Sequence, residues 1–445
     1  MYKHWKNWFS QLHWTRKWFP VFVLIRPFVD NFFWLKEISP LLSPLTIVGV
    51  LTPVLCIVSF YSRKMPGKIR NSVDSLMSSY GAVVLVNCIV VLIYHFSVEF
   101  FGEAIKFITP TFLFLYIRRF IQNKDDLVFI LYTFLLSCSI PLAIFGYELV
   151  FGPIRPTYLS EGRGGGSRIR GQYGDIMSYA VYITGAFLIY SYLYIDGLSS
   201  RWWAGKKKIS ASKMFIVFTV CLVGLVSIKH VSSWTVFFYL CGVLLMFNAK
   251  RSKGLIATIF FLVLLMPVFG PLLYKSQIEP LITKEINVVK GDAEVNRAFN
   301  GRMDRWENYF AIWNDLPLYS HFVGISFTGE EKTPIMLSGG MHSDFVRNLF
   351  LGGFVGLSIF LLFFIVTFNR NSRFRIPERF LIVSSVGLFI LYAISTLPTL
   401  YLPMLNYLFP VYAFAFLPKS KAYPAPVSGH SELPAQPSPT PFPTP

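Results

Sequence analysis

Acidic side chains are scarce in this chain. Asp and Glu number 23 among 445 residues, against 41 Lys and Arg, which leaves a net charge of +18. The late acids Asp292, Glu294, Glu330 and Glu331 form no evident ligand set for a divalent cation. Metal-independent chemistry with no cofactor is therefore expected. Charge of either sign is thin, at 14% of residues against 54% hydrophobic. A soluble protein of this length could not hide so much apolar surface. Cysteine is sparse too. Cys56, Cys88, Cys138, Cys221 and Cys241 all lie in apolar runs, without disulfide or metal spacing, and read as small buried hydrophobes. There is no P-loop and no dinucleotide fingerprint. The run Gly162, Gly164, Gly165, Gly166 lacks the lysine and hydroxyl residue that a phosphate loop needs. No internal repeat is visible, and repeats are what a transporter built from two halves would show.

What the chain does have is apolar runs of roughly 20 residues, each long enough to cross a ~30 Å hydrocarbon core. They fall near 19–36, 42–61, 78–98, 100–118, 127–150, 173–195, 214–230, 231–249, 254–274, 343–368, 380–397 and 399–417. The expected class is all-α, a polytopic membrane protein of about twelve transmembrane helices with both termini cytoplasmic. Loop charge agrees with that parity. The N-terminus, Arg63 to Arg70, Arg118 to Lys124, Arg201 to Lys213, Lys250 to Lys253, Arg370 to Arg379 and the tail are assigned inside and hold most of the 41 cations. The positive charge thus follows membrane topology and calls for no nucleic acid.

Residues 1–18 are basic and aromatic and suit a segment lying on the cytoplasmic face. No small-residue cleavage site follows the first apolar run, so a cleaved signal is not expected. Residues 19–274 hold nine expected helices, 275–341 a large outer loop, and 342–418 three more helices. Residues 419–445 are rich in Pro, Ser and Thr and are expected to be disordered or extended. Arg26 and Asp30 share one face of the first helix and can pair. Each alone would cost about 3 kcal/mol at mid-bilayer, so they read as a structural ion pair or as part of a buried substrate path.

Two outer segments break the charge bias: Gly152–Gln172, with Arg155, Arg163, Arg168 and Arg170, and the 275–341 loop, with seven cations. In Gly164 to Asp175 the glycines allow close backbone approach. Arg168 and Arg170 offer forked donors that match phosphate oxygens, and a helix N-terminus follows. The alternative is a flexible loop touching lipid headgroups. In 300–313, Asn300 can cap a short helix carrying Arg302, Arg305, Trp306, Tyr309 and Trp313 on neighbouring faces. That helix reads as a phosphate clamp or as an interfacial seal. The outer loop ends at His342, where an imidazole with a near-neutral pKa could act as a general base. Ser343 or Asp344 can cap the following helix, Asp344 can pair with Arg347, and Gly352 with Gly356 lets another helix pack close. Of the seven histidines, His230, His321 and His342 could reach this side.

These residues carry a likeness. The chain resembles the bacterial O-antigen ligase and O-antigen polymerase superfamily. The matching features are Arg26-Pro27 with Asp30, Arg168-Ile169-Arg170-Gly171-Gln172-Tyr173 entering a helix, Gly301-Arg302 with Trp306, and His342 ahead of Gly352-Gly353-Phe354-Val355-Gly356-Leu357. One feature departs. Where that superfamily often has a Ser-Arg pair near the outer end of the seventh or eighth helix, this chain reads Ser227-Ile228-Lys229-His230, so Lys229 offers only a point charge. The resemblance implies a GT-C-type membrane glycosyltransferase in the bacterial inner membrane. It would take glycan from an undecaprenyl-diphosphate-linked oligosaccharide at the periplasmic face and join it to a glycan or lipid A–core acceptor. Arg168, Arg170, Arg302 and Arg305 would bind the diphosphate, His342 would take the acceptor proton, and Lys229, Asp344 and Arg347 would be accessory. Competing readings are a lipid-linked oligosaccharide transporter or flippase and a structural membrane anchor.

Overall fold

Helix signals in the sequence become helices in the computed structural model. It describes residues 1–39, 43–66, 71–155, 157–158, 167–174, 176–197, 209–228, 230–248, 279, 287, 290, 302–337 and 341–422. The Lys229 position and the expected helix at 254–274 lie outside the described residues. The elements are α1 (Tyr2–Gln11), α2 (Trp14–Asn31), α3 (Leu35–Ile38), α4 (Pro44–Tyr61), α5 (Ser72–Tyr94), α6 (Val98–Phe120), α7 (Lys124–Ser137) and α8 (Ser139–Phe151). A two-residue antiparallel pair, β1 (Thr157–Tyr158) with β2 (Ser167–Arg168), precedes α9 (Ile176–Gly197), α10 (Ala211–Ile228) and α11 (Val231–Asn248). Then come α12 (Arg302–Asn314), α13 (Leu318–Val323), α14 (Asp344–Asn369), α15 (Ile376–Ser395) and α16 (Leu402–Ala415).

Among the described residues nine helices are long and apolar enough to cross a membrane, counting α7 and α8 as one, and α16 is a shorter apolar helix. Apart from the short β1–β2 pair the described elements are thus helical, and the chain is a multi-pass membrane protein. Local signals fix several starts. Ser43, Ser97 and Asn123 each accept a backbone N–H in the first turn of α4, α6 and α7, and Pro44 opens α4. Helix α9 is central. Its membrane-length window is 89% buried, and it is apolar on every face; only 28% of the corresponding windows of α4 and α10 is buried, so their apolar surface is left for lipid. The cysteines are buried or half-buried, as expected, and are free thiols.

Buried ion pairs sort the helix ends into two poles. At the first pole Arg16 pairs with Asp126 (2.9 Å), Arg118 with Asp74 (3.1 Å), and Lys124 with both Asp196 and Glu378 (2.7 Å each). These contacts join the starts of α2, α5, α7 and α15 to the ends of α6 and α9. Helix α1 folds against this pole, Trp5 donating to Thr133 and Trp8 to Asp126. At the second pole the end of α2 meets the approach to α9, Asn31 accepting from Gln172 N. The start of α11 meets the end of α15 through Ser232 and Ser395. The alternation of ends is the one the basic loops lead one to expect.

Three details differ from the sequence reading. The 127–150 run is interrupted at Cys138, because Pro141 has no N–H for the Ser137 carbonyl and its ring crowds that oxygen. Beyond the short helix expected at 300–313, which forms as α12, the 275–341 interval carries a second helix, α13. Tyr309, Phe310 and Trp313 of α12 pack edge-on or tilted around Phe350 of α14, with ring centroids 6.2, 5.9 and 4.9 Å away. Finally, α14 is not one straight helix. Gly352 and Gly356 face Val83 of α5, as close packing requires, but Gly353 leaves the helical region at φ 61° and ψ −162°. A Cβ there would run into the Phe322 carbonyl, and one on Gly324 (φ 108°) into the Leu351 carbonyl. Two backbones therefore cross where only glycine fits. Gly353→Ala is expected to cost about 1–3 kcal/mol of stability. It should lower the thermal midpoint of purified protein, and an unchanged midpoint would contradict this crossing.

Candidate functional site

The second pole holds the arrangement best suited to chemistry. Helix α12 lies over the start of α14, and Trp306 Nε1 donates to Met341 O at 2.6 Å. Next along the chain is His342, the only described non-glycine residue in the left-handed region, with φ 47°. That conformation is unfavourable for a residue with a Cβ and persists only where neighbours fix it. Both flanks are fixed. Trp306 holds Met341, while Ser343 Oγ donates to Ala393 O (3.0 Å) and Asp344 N to Thr396 O (3.1 Å). The ring that results is half-buried, with Nε2 at 3.3 Å from Arg305 Nη1. Guanidinium can only donate, so Nε2 presents its lone pair and the imidazole proton sits on Nδ1. The Arg305 side chain is exposed. A fork donor and a base thus meet 37 residues apart in sequence.

The other expected residues divide. Arg302 opens α12, but its side chain lies outside the described residues, as does that of Arg168. The backbone of Arg168 is registered in the short ladder, opposite Thr157. Arg170 is half-buried and donates to Gly174 O (3.4 Å). Its segment reaches the same pole by another route: Ile169 N donates to Ser227 O at the end of α10. That α10 end adjoins the start of α11, where His230 bonds Ser233 (2.7 Å) and Ser232 meets Ser395 of α15. His321 instead bonds Trp313 O and packs tilted against that ring, an internal tie within the α12–α13 unit.

Asp344 and Arg347 are buried, at 0% and 2% exposure. They pair at 2.6 Å, as the spacing leads one to expect. Neither Ser343 nor Asp344 caps α14 through its side chain: Ser343 turns to Ala393, and Asp344 serves Arg347 and accepts from Thr399 N (2.8 Å) and Thr399 Oγ1 (2.7 Å). A desolvated carboxylate needs a cation and a full set of donors more than it needs a cap. Nε and Nη1 of Arg347 have no hydrogen-bond partner, and the guanidinium lies 5.0 Å from the centre of the Phe107 ring, whose face takes up part of its charge. These residues lock α14 to the α15–α16 turn. Asp344→Ala should therefore cost about 3–5 kcal/mol by stranding a buried cation, and Asp344→Leu with Arg347→Met should recover much of it. Thermal midpoints of both variants test this, and failure of the double variant to recover would count against the lock.

Arg26 and Asp30 also take the structural reading. They pair at 2.6 Å, and Tyr182 of α9 donates to the second carboxylate oxygen at 2.7 Å, which ties α2 to the central helix. Among the described residues no three His, Cys, Asp or Glu are grouped as metal ligands. One residue that the sequence did not single out is Glu148. It is 1% exposed near the end of α8 and accepts from Ile154 N (2.9 Å) and Gly171 N (2.8 Å). Its only sequence signal is a lone acid inside an apolar run. No protein-family model matches this chain, and no curated protein matches it.

Proposed function

We propose that this protein is a membrane glycosyltransferase of about twelve helices, GT-C-like, with both termini on the cytoplasmic side of a bacterial inner membrane. It transfers glycan from an undecaprenyl-diphosphate carrier at the periplasmic face to a lipid A–core or glycan acceptor, as an O-antigen ligase or a surface-polysaccharide polymerase. The observation that carries this reading is the contact between Arg305 and His342 at the pole opposite the buried basic ion pairs. A cation able to grip a diphosphate lies against a base able to take an acceptor proton.

In the reaction, the acceptor hydroxyl oxygen forms the new bond to the anomeric carbon. The bond from that carbon to the carrier phosphate oxygen breaks, and the electron pair leaves with the diphosphate. The hydroxyl proton passes to His342 Nε2. Arg305, with Arg302, Arg168 and Arg170, stabilises the charge that grows on the departing diphosphate. Arg305 also donates to the Nε2 lone pair. When the diphosphate draws the guanidinium away, the base is released at the moment it is needed.

Lipid-linked glycans from a strain lacking the gene test the assignment. Accumulated single repeat units support a polymerase, and long unligated chains support a ligase. Glycans unchanged from the parent strain would rule out both enzymes, and carrier-linked glycan held at the cytoplasmic face would instead support a flippase.

A further inference from the structure

Glu148 sits where a carboxylate is expensive, within an apolar helix and with 1% exposure. What compensates it is backbone. Its two oxygens accept separately from Ile154 N and Gly171 N, donors 6 and 23 residues further on. Those donors stand at the two ends of one excursion of the chain. The segment leaves α8 through Gly152 (φ 88°), forms the ladder of Thr157 with Arg168 and Tyr158 with Ser167, and returns through Gly171 (φ 59°). Both glycines adopt the left-handed region at the neck, where the chain turns sharply out of and back into the bundle. A single carboxylate thus closes the neck, and Gln172 N bonded to Asn31 anchors the return strand to α2. Arg168 and Arg170 lie on that return strand, within three residues of the Gly171 clamp. Arg170 is also close enough to act on Glu148 electrostatically.

We propose that Glu148 is a positioning residue for a diphosphate-binding strand: it fixes the register of Arg168 and Arg170 against the second pole, so that they meet one anionic group. This rests on the glycosyltransferase reading above. The carboxylate touches no ligand itself. It acts through the backbone of Gly171. Side-chain length matters as much as charge, because one carboxylate must reach two N–H groups on two passes of the chain. Glu148→Gln replaces one acceptor oxygen with an NH2 facing a backbone donor. Glu148→Asp keeps the charge but is one methylene too short to hold both.

The test uses full-length protein in lipid nanodiscs with inorganic pyrophosphate as the probe. Calorimetry gives its affinity, and hydrogen exchange followed by mass spectrometry reports peptides covering 152–172. Wild type should bind pyrophosphate with slow exchange at the neck. In Glu148→Asp and Glu148→Gln the neck should exchange faster, and affinity should fall about tenfold or more, the size of one lost charge-assisted contact. The thermal midpoint serves as control. Fast exchange with wild-type affinity in both variants overturns the positioning role and leaves the diphosphate reading standing. Slow exchange in both variants overturns the clamp itself. No pyrophosphate binding by wild type removes the diphosphate reading and this proposal with it.

Discussion

Replacing His342 with alanine should abolish glycan transfer while leaving membrane insertion intact. General-base catalysis contributes about 10²–10⁴-fold, so the loss should be at least two orders of magnitude in kcat. Insertion should survive because the ring is only half-buried and the packing on either side belongs to Trp306, Ser343 and Asp344. Glycine at this position makes the sharper test. At φ 47° a Cβ is strained and glycine is not. His342→Gly should therefore be at least as stable as wild type and still inactive. Stability gained as activity is lost would mark the strain as serving the site. Transfer measured with purified protein and carrier-linked donor decides the matter, and near-normal turnover in either variant would remove His342 as the base.

Arg305→Lys is the second large effect. It keeps the charge but replaces a planar fork with a point charge. About 10²-fold should be lost in kcat, the scale seen when one donor to a developing oxyanion is removed. The same arginine predicts a change that needs no turnover. Its Nη1 occupies the His342 Nε2 lone pair, which is also the atom that diethyl pyrocarbonate acylates. Carbethoxylation of His342, followed by mass spectrometry of its peptide, should be slow in wild type and faster with pyrophosphate present. In Arg305→Ala it should be fast from the outset and indifferent to pyrophosphate. If pyrophosphate protects His342 instead, the guanidinium does not move off the ring, and the release of the base by the donor diphosphate is wrong. Arg302→Lys should likewise keep the charge and lose most activity, since a point charge is not a fork.

Charge pairs close in sequence were legible before any coordinates. Arg26 with Asp30 and Asp344 with Arg347 follow from helical spacing alone, and both form. Gly352 and Gly356 announced a close helix neighbour, which proves to be α5 at Val83. The role of Asp344 and Arg347 was not legible. Spacing says that two side chains can meet, but it is silent on whether they face a cavity or the core. Their burial comes from Thr399, Phe107 and the α15–α16 turn, all distant in sequence. Glu148 was harder still. Its partners are backbone N–H groups, and a backbone amide looks the same at every non-proline residue.

By itself, then, the sequence determined that the chain is a bundle of membrane-crossing helices and which ends share a side. Apolar run length must match the bilayer and loop charge follows the membrane field, and both are local properties of composition. Only the tertiary structure decided that Arg305 reaches His342, that Gly353 breaks its helix, and that one carboxylate closes the neck of the arginine-bearing strand. Each depends on segments far apart in the chain crossing within a few ångströms, and hydrophobic periodicity holds no record of such crossings.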